Sequence, residues 1–255
     1  MSSVDIKIMG DGFISEGEYG SIKIMGNTSS EGNVKASLVS DMGNATFNGD
    51  VDFETLKVMG NMQQQGNLVS QRTKVLGSLE VKGDAQIENL VVDGETVLNG
   101  DLKCNNVTVS GKLTVRGNIY AKEVKVQGEM RAEGNISSEE VSVEGEICCQ
   151  GLLNVENIMI TPRTTCYCKE IGATKVTIRK PKHNLWVSLF INGRYGKLKS
   201  ELIEADEIEL QRVEAKEVKG HNINLIDDCK INHVEYSGTF TMSETCSVET
   251  QTQRG

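Results

Sequence analysis

Glycine recurs through the first two thirds of this chain on a fixed period. Gly26, Gly43, Gly60, Gly77, Gly94, Gly111, Gly128 and Gly145 each follow the last by 17 residues. A second series, Gly32, Gly49, Gly66, Gly83, Gly100, Gly117, Gly134 and Gly151, runs six residues behind the first. Two glycine ladders in constant phase leave one family of solutions: identical short units stacked on each other, each burying its apolar side chains against its neighbours.

Between the glycines, apolar residues alternate with polar ones in short pairs: Val107 and Val109, Leu113 and Val115, Ile119 and Ala121, then Val124 and Val126 in the next unit. Alternation of period two marks a strand with one buried face. Each repeat therefore reads as three inward faces spaced six, six and five residues apart, which predicts a triangular parallel β-helix of about 17 residues per coil. The glycines are expected at its corners because tight bends favour positive φ. The residue after the second glycine is Asn33, Asp50, Asn67, Asp84, Asp101, Asn118 or Asn135, side chains expected to bond their own backbone and steady the turn.

The pattern starts near Ile6, with an irregular first coil around Gly10 and Gly17, and continues for about nine coils. This assigns residues 1–161 to a main β-helix. Its terminal coils expose a row of unpaired backbone groups, with no amphipathic helix in the sequence to cap them. The end residues Ile6, Ile8 and Phe13, with Val234, Tyr236 and Phe240 at the other extreme, are the expected polymerisation surfaces.

Composition narrows the function. Aromatics make up 4% of the chain and aliphatics fill the inward positions, as a thin core requires. The net charge of −9 argues against a nucleic-acid partner, and no GxxxxGK[ST] phosphate loop is present. Seven cysteines without a pairing pattern suit a reducing compartment. With no basic stretch followed by an apolar run at the N-terminus, and no run approaching about 18 apolar residues, the chain reads as cytoplasmic.

Strict periodicity lapses at Pro162. Residues 162–200 read as a junction with a basic insertion. From Lys169 to Lys199 it holds eight Lys or Arg against one acid. From Leu202 a tighter pattern begins, with pairs such as Ile203 and Ala205, Ile208 and Leu210, and Val213 and Ala215 five residues apart. This predicts a second, shorter β-helix over 201–242 with 15 to 16 residues per turn, in preference to a charged helix over 201–220. A flexible polar tail is expected over 243–255.

The opening MGDGFISEGEYGSIKIMGN, the many VxVxG and GD or GN corners, and the C-terminal KEIGATKVTIRK, ELIEADEIELQRVEAKEVKG and CKINHVEYSGTF resemble the bactofilins, polymer-forming bacterial cytoskeletal proteins. The resemblance implies an all-β, right-handed parallel β-helix whose subunits join end to end into nonpolar filaments, without nucleotide or other cofactor. It implies that the partner is the protein itself.

A second reading is a docking module for the inner membrane surface or for cell-envelope proteins. It would act through Arg179, Lys180, Lys182, Trp186, Phe190, Arg194, Lys197 and Lys199, where aromatic side chains stand among cations. Sharper chemistry fits less well. Cys166 and Cys168 lack the further ligands of a zinc site. Cys104, Cys149 and Cys229 fall on inward positions, whereas Cys148 points outward as a candidate reactive thiol. The Asn and Asp ladder lacks the nine-residue repeat of calcium β-rolls. His183, His221 and His233 lie outside the 17-residue stack, so no catalytic or metal residue is assigned and no enzyme activity is expected.

Overall fold

The computed structural model describes residues 4–181 and 196–254. Among the described residues every element is a strand. Parallel strands stack as a β-solenoid of about 14 turns, with equivalent positions about 17 residues apart. Two compact units divide the chain: residues 1–123 with 129–133, and 124–128 with 134–255.

In the first unit each coil contributes one long and one short strand. Val34–Asp41, Val51–Val58, Leu68–Val75 and Ala85–Val92 pair in parallel one coil after another, as do Asn44–Phe47, Asn61–Gln64 and Ser78–Val81. The long strand carries two of the three inward faces. In Val51–Val58, for example, Val51 and Phe53, then Leu56 and Val58, are buried. The five-residue step between those faces is a bend inside one strand, so only two of the three corners need glycine. Phe47 and Phe53 meet edge to face, with ring centroids 5.6 Å apart, inside an otherwise aliphatic core. Thr73 takes an inward position without penalty because its hydroxyl bonds that of Ser70 at 2.5 Å.

Two expectations about the corners are corrected. Among the described glycines only Gly17 and Gly32 have positive φ. Along the first ladder the reason for glycine is close approach: a Cβ at Gly43, Gly60, Gly77, Gly94 or Gly111 would lie under 3.0 Å from the backbone carbonyl of the corner glycine one coil earlier. The Asn and Asp side chains also reach between coils instead of folding onto their own turn. Asp50 N–H donates to Asn33 Oδ1 at 2.9 Å, Asn67 N–H to Asp50 Oδ1 at 2.7 Å, and Asp84 N–H to Asn67 Oδ1 at 2.9 Å. The bend leaves these N–H groups without a carbonyl partner, and the ladder supplies the acceptor.

The second unit winds with fewer breaks. Glu146–Ile160, Cys166–Ile178, Leu198–Gln211 and Val213–Asp227 each run across several faces, and each pairs in parallel with the next. The pairs inferred at five-residue spacing are inward: Ile203, Ala205, Ile208, Leu210, Val213 and Ala215 are all buried. The coil from Leu198–Gln211 to Val213–Asp227 is 15 residues, with Asn222 Nδ2 donating to Glu207 Oε1 at 2.7 Å, and the next two are 16 and 17. Turns here fall on Arg212 and Asp228, both with positive φ. Within 243–255, expected as a flexible tail, Ser247–Gln253 forms a strand in register with Lys230–Tyr236. Its polar sequence suits a strand whose side chains are largely exposed.

Candidate functional site

The residues nominated as end surfaces lie on two open ladder edges. At the first, Val4–Ile8 pairs with Gly17–Ile24, and Gly12–Ile14 pairs with Asn27–Ser30. Among the described residues nothing pairs on the other side of either strand. This edge is apolar: Val4 and Phe13 are 60% and 53% exposed, and Ile6 and Ile8 are half-buried. It is also locally well ordered. Asp5 Oδ1 accepts from Ser21 N–H and Oγ at 2.8 and 2.9 Å, and Tyr19 Oη donates to Ser15 O at 2.8 Å. The edge is thus a preformed template of backbone donors and acceptors fringed by apolar side chains.

The second edge is Ser247–Gln253, which overlies Lys230–Tyr236. Val234 is therefore fully buried beneath that strand, while Tyr236 and Phe240 are half-buried, with ring centroids 5.4 Å apart. In Ser247–Gln253 the outermost row is polar apart from Val248, while Phe240–Met242, which pairs only with Val213–Asp227 among the described strands, adds the exposed Met242. The two edges differ, the first fringed mainly by apolar side chains and the second mainly polar.

Of the basic residues, Lys182, Trp186, Phe190 and Arg194 lie outside the described residues, as does His183. The four described cations all face carboxylates. Arg179 Nε and Nη2 donate to the two carboxylate oxygens of Glu209, each at 3.1 Å, and Lys180 Nζ meets Asp227 Oδ2 at 2.8 Å. Lys197 and Lys199 share Glu214, with Lys199 Nζ at 3.4 Å from Oε2. Hydrogen bonding from Lys180 and Lys197 pulls the Asp227 and Glu214 carboxyls below their ordinary range.

Stacking also assembles a group that linear spacing does not reveal. Glu217 comes from one coil and His233 and Glu235 from the next, and their ligand atoms lie within 4.8 Å of one another. Each carboxylate already has a cation, Lys219 at Glu217 and Arg254 at Glu235, and His233 Nδ1 bonds Thr250 Oγ1 at 2.8 Å. His221 Nδ1 meets Ser237 Oγ at 3.0 Å. These contacts account for both imidazoles as ladder-bridging groups.

The cysteines fall as their phase requires. Cys104, Cys149, Cys166, Cys168, Cys229 and Cys246 are buried, and Cys148 is half-exposed. Burial pushes the thiols of Cys104, Cys149 and Cys166 up to about 11 and that of Cys229 up to about 12, far from the reactive thiolate form. A maleimide is expected to modify Cys148 first in the native protein and all seven cysteines only after unfolding. Peptide mapping of the labelled protein checks this; rapid native labelling of Cys168 would contradict the burial.

No helix among the described residues is long and apolar enough to cross a membrane. The family model for bactofilins, described as polymer-forming cytoskeletal, matches residues 65–169. The uncharacterized protein YhbE of Bacillus subtilis (strain 168) is 40% identical over 89 residues, which cover 34% of this chain and 36% of that protein. No solved structure matches. A 17-residue parallel solenoid with open edges thus carries, over residues 65–169, a domain that matches the bactofilin family model of polymer-forming cytoskeletal proteins.

Proposed function

We propose that this protein self-assembles end to end through its open ladder edges and serves as a nucleotide-independent cytoplasmic scaffold, without enzymatic activity of its own. The observation that carries the reading is the apolar first edge. Val4–Ile8 and Gly12–Ile14 present unpaired backbone beside the exposed Val4 and Phe13. A second copy meeting that edge would satisfy the backbone groups and bury the apolar fringe in one step. Because the two edges differ, like-with-like contacts are favoured: apolar edge to apolar edge through a two-fold interface, polar edge to polar edge through another. A filament built so has no overall direction, in agreement with what the family resemblance implies.

Negative-stain microscopy and sedimentation test this. Filaments are expected without added nucleotide, and ATP or GTP should not change their amount. Phe13→Asp, a change at an exposed position, should leave the circular dichroism spectrum intact and raise the concentration needed for assembly by about tenfold or more. A wild-type protein that stays monomeric at high concentration removes the proposal. The basic stretch is the weaker candidate for a partner surface, since each of its four described cations is held by a carboxylate.

A further inference from the structure

One corner of the first unit carries an apolar ridge that neither folding nor end contacts require. Met9 precedes Gly10 of the irregular first coil, Met25, Met42, Met59 and Leu76 precede the first-series glycines of the next four, and each is between 45% and 69% exposed. They are stacked in register: Met25 N–H donates to Ile8 O, Met42 N–H to Ile24 O, Met59 N–H to Asp41 O and Leu76 N–H to Val58 O, all within 2.7 to 2.9 Å. At strand spacing of about 4.8 Å the ridge runs for roughly 19 Å. Single exposed apolar residues are ordinary, but a contiguous column of them is not. The turn itself does not demand them, because Asp93 and Ser110 occupy the same position in the next two coils.

The flanks of the ridge are equally unusual for an acidic protein. Two residues before it stands a row containing Lys7, Lys23, Lys57 and Lys74, all exposed. Lys7 pairs directly beside Lys23, and Lys57 beside Lys74. Such stacking of like charges costs stability. Lys74 meets Asp93 at 3.2 Å, at the coil where the ridge ends; Lys7, Lys23 and Lys57 have no carboxylate partner among the described residues. On the other flank, Asp11 heads an amide ladder of Asn27, Asn44 and Asn61, with Asn27 Nδ2 to Asp11 Oδ1 at 3.0 Å, Asn44 Nδ2 to Asn27 Oδ1 at 2.9 Å and Asn61 Nδ2 to Asn44 Oδ1 at 3.0 Å. Over residues 21–29, 38–46 and 55–63 no carboxylate faces outward, Asp41 being buried.

We infer that this ridge is a docking surface for an anionic phospholipid bilayer. The flexible methionines enter the headgroup boundary, and the lysine row meets the lipid phosphates. The charge pattern selects this occupant. A second copy would offer the lysine row only the same lysines or the amide ladder, whose carboxylate at Asp11 already accepts from Asn27, whereas a purely polyanionic ligand would leave the methionines without a role. The net charge of −9 does not oppose docking, since charges beyond about 8 Å are screened at physiological salt. The inference uses side faces of the coils and is independent of assembly at the edges.

Vesicle flotation of the full chain tests it, because floating protein cannot be confused with self-assembled protein that sediments. Wild type should float with phosphatidylcholine vesicles containing phosphatidylglycerol, not with phosphatidylcholine alone, and salt should weaken the effect. The exposed-site variants Met25→Gln/Met42→Gln/Met59→Gln and Lys23→Gln/Lys57→Gln should keep the wild-type circular dichroism spectrum and lose binding by about tenfold. Lys180→Gln/Lys197→Gln should float like wild type. The inference is overturned if wild type does not float with the anionic vesicles, or floats equally with neutral ones. It is overturned as well if the ridge variants float unchanged, or if they lose only lateral bundling between copies.

Discussion

Replacing Gly94 by alanine is expected to destabilise the first unit by about 3 kcal/mol or more, whereas the same change at Gly172 should be neutral or stabilise by about 0.4–1 kcal/mol. Both glycines have φ outside the left-handed region, so backbone conformation does not distinguish them. Their surroundings do. A Cβ on Gly94 would fall under 3.0 Å from both Gly77 O and Leu76 O, backbone atoms of the coil before it. Those carbonyls cannot retreat, because Gly77 O accepts from Glu95 N–H at 2.9 Å and is part of the ladder. On Gly172 the nearest atoms would be Asn154 Oδ1 at 3.6 Å and a Leu152 methyl at 3.8 Å, which is ordinary contact. Urea unfolding followed by far-ultraviolet circular dichroism would separate the two variants. Equal midpoints for both would remove the close-approach account of the glycine ladders. The effect should also be local, because in a solenoid each coil touches only its neighbours.

Period, strand direction and inward faces were legible because stacking imposes them residue by residue: Val58, Val75, Val92 and Val109 occupy one buried column, 17 residues apart. The second unit was legible for the same reason, through pairs such as Ile208 and Leu210. What did not show was the relation between coils. Whether Asn67 bonds its own turn or the N–H of Asp84 depends on three-dimensional register. The glycine ladder misled similarly, since a close approach between coils and a positive φ within one leave the same residue. The Glu217, His233 and Glu235 group and the methionine ridge are also cross-coil features, visible only once the chain is folded onto its own repeat. From the sequence Val234 reads as an end residue, since the polar run after it gives no strand signal, yet that run pairs over it as Ser247–Gln253. Exposed edge strands need no apolar face, so alternation cannot announce them.

Substituting Asp41 by valine is expected to stabilise the protein by about 1–3 kcal/mol at neutral pH and by little at pH 3. Asp41 sits, fully buried, in the column otherwise filled by Ile24, Val58, Val75 and Val92. Its Oδ1 accepts from Gly43 N–H at 2.9 Å, while Oδ2 has no hydrogen-bond partner. Desolvation raises its pKa above the ordinary carboxylate value of 3.8, and the Gly43 N–H bond offsets this only in part. The sign follows from linkage. Below 3.8 the carboxyl is protonated in both folded and unfolded chains, so burial carries no ionic cost. As pH rises from there through the higher folded pKa, the unfolded chain releases its proton first, and stability falls until both forms are ionised. Valine removes the titration and fills nearly the same volume. It also leaves the Gly43 N–H provided for: in the coils above, Gly77 N–H bonds Val58 O at 3.1 Å and Gly94 N–H bonds Val75 O at 3.0 Å, so Gly43 N–H can turn to Ile24 O in the same way. Denaturation of wild type and Asp41→Val at pH 7 and pH 3 reads the difference directly. A gain of equal size at both values would show that packing, not the buried carboxylate, sets the effect, and a loss at pH 7 would show that the Gly43 bond to the side chain is indispensable.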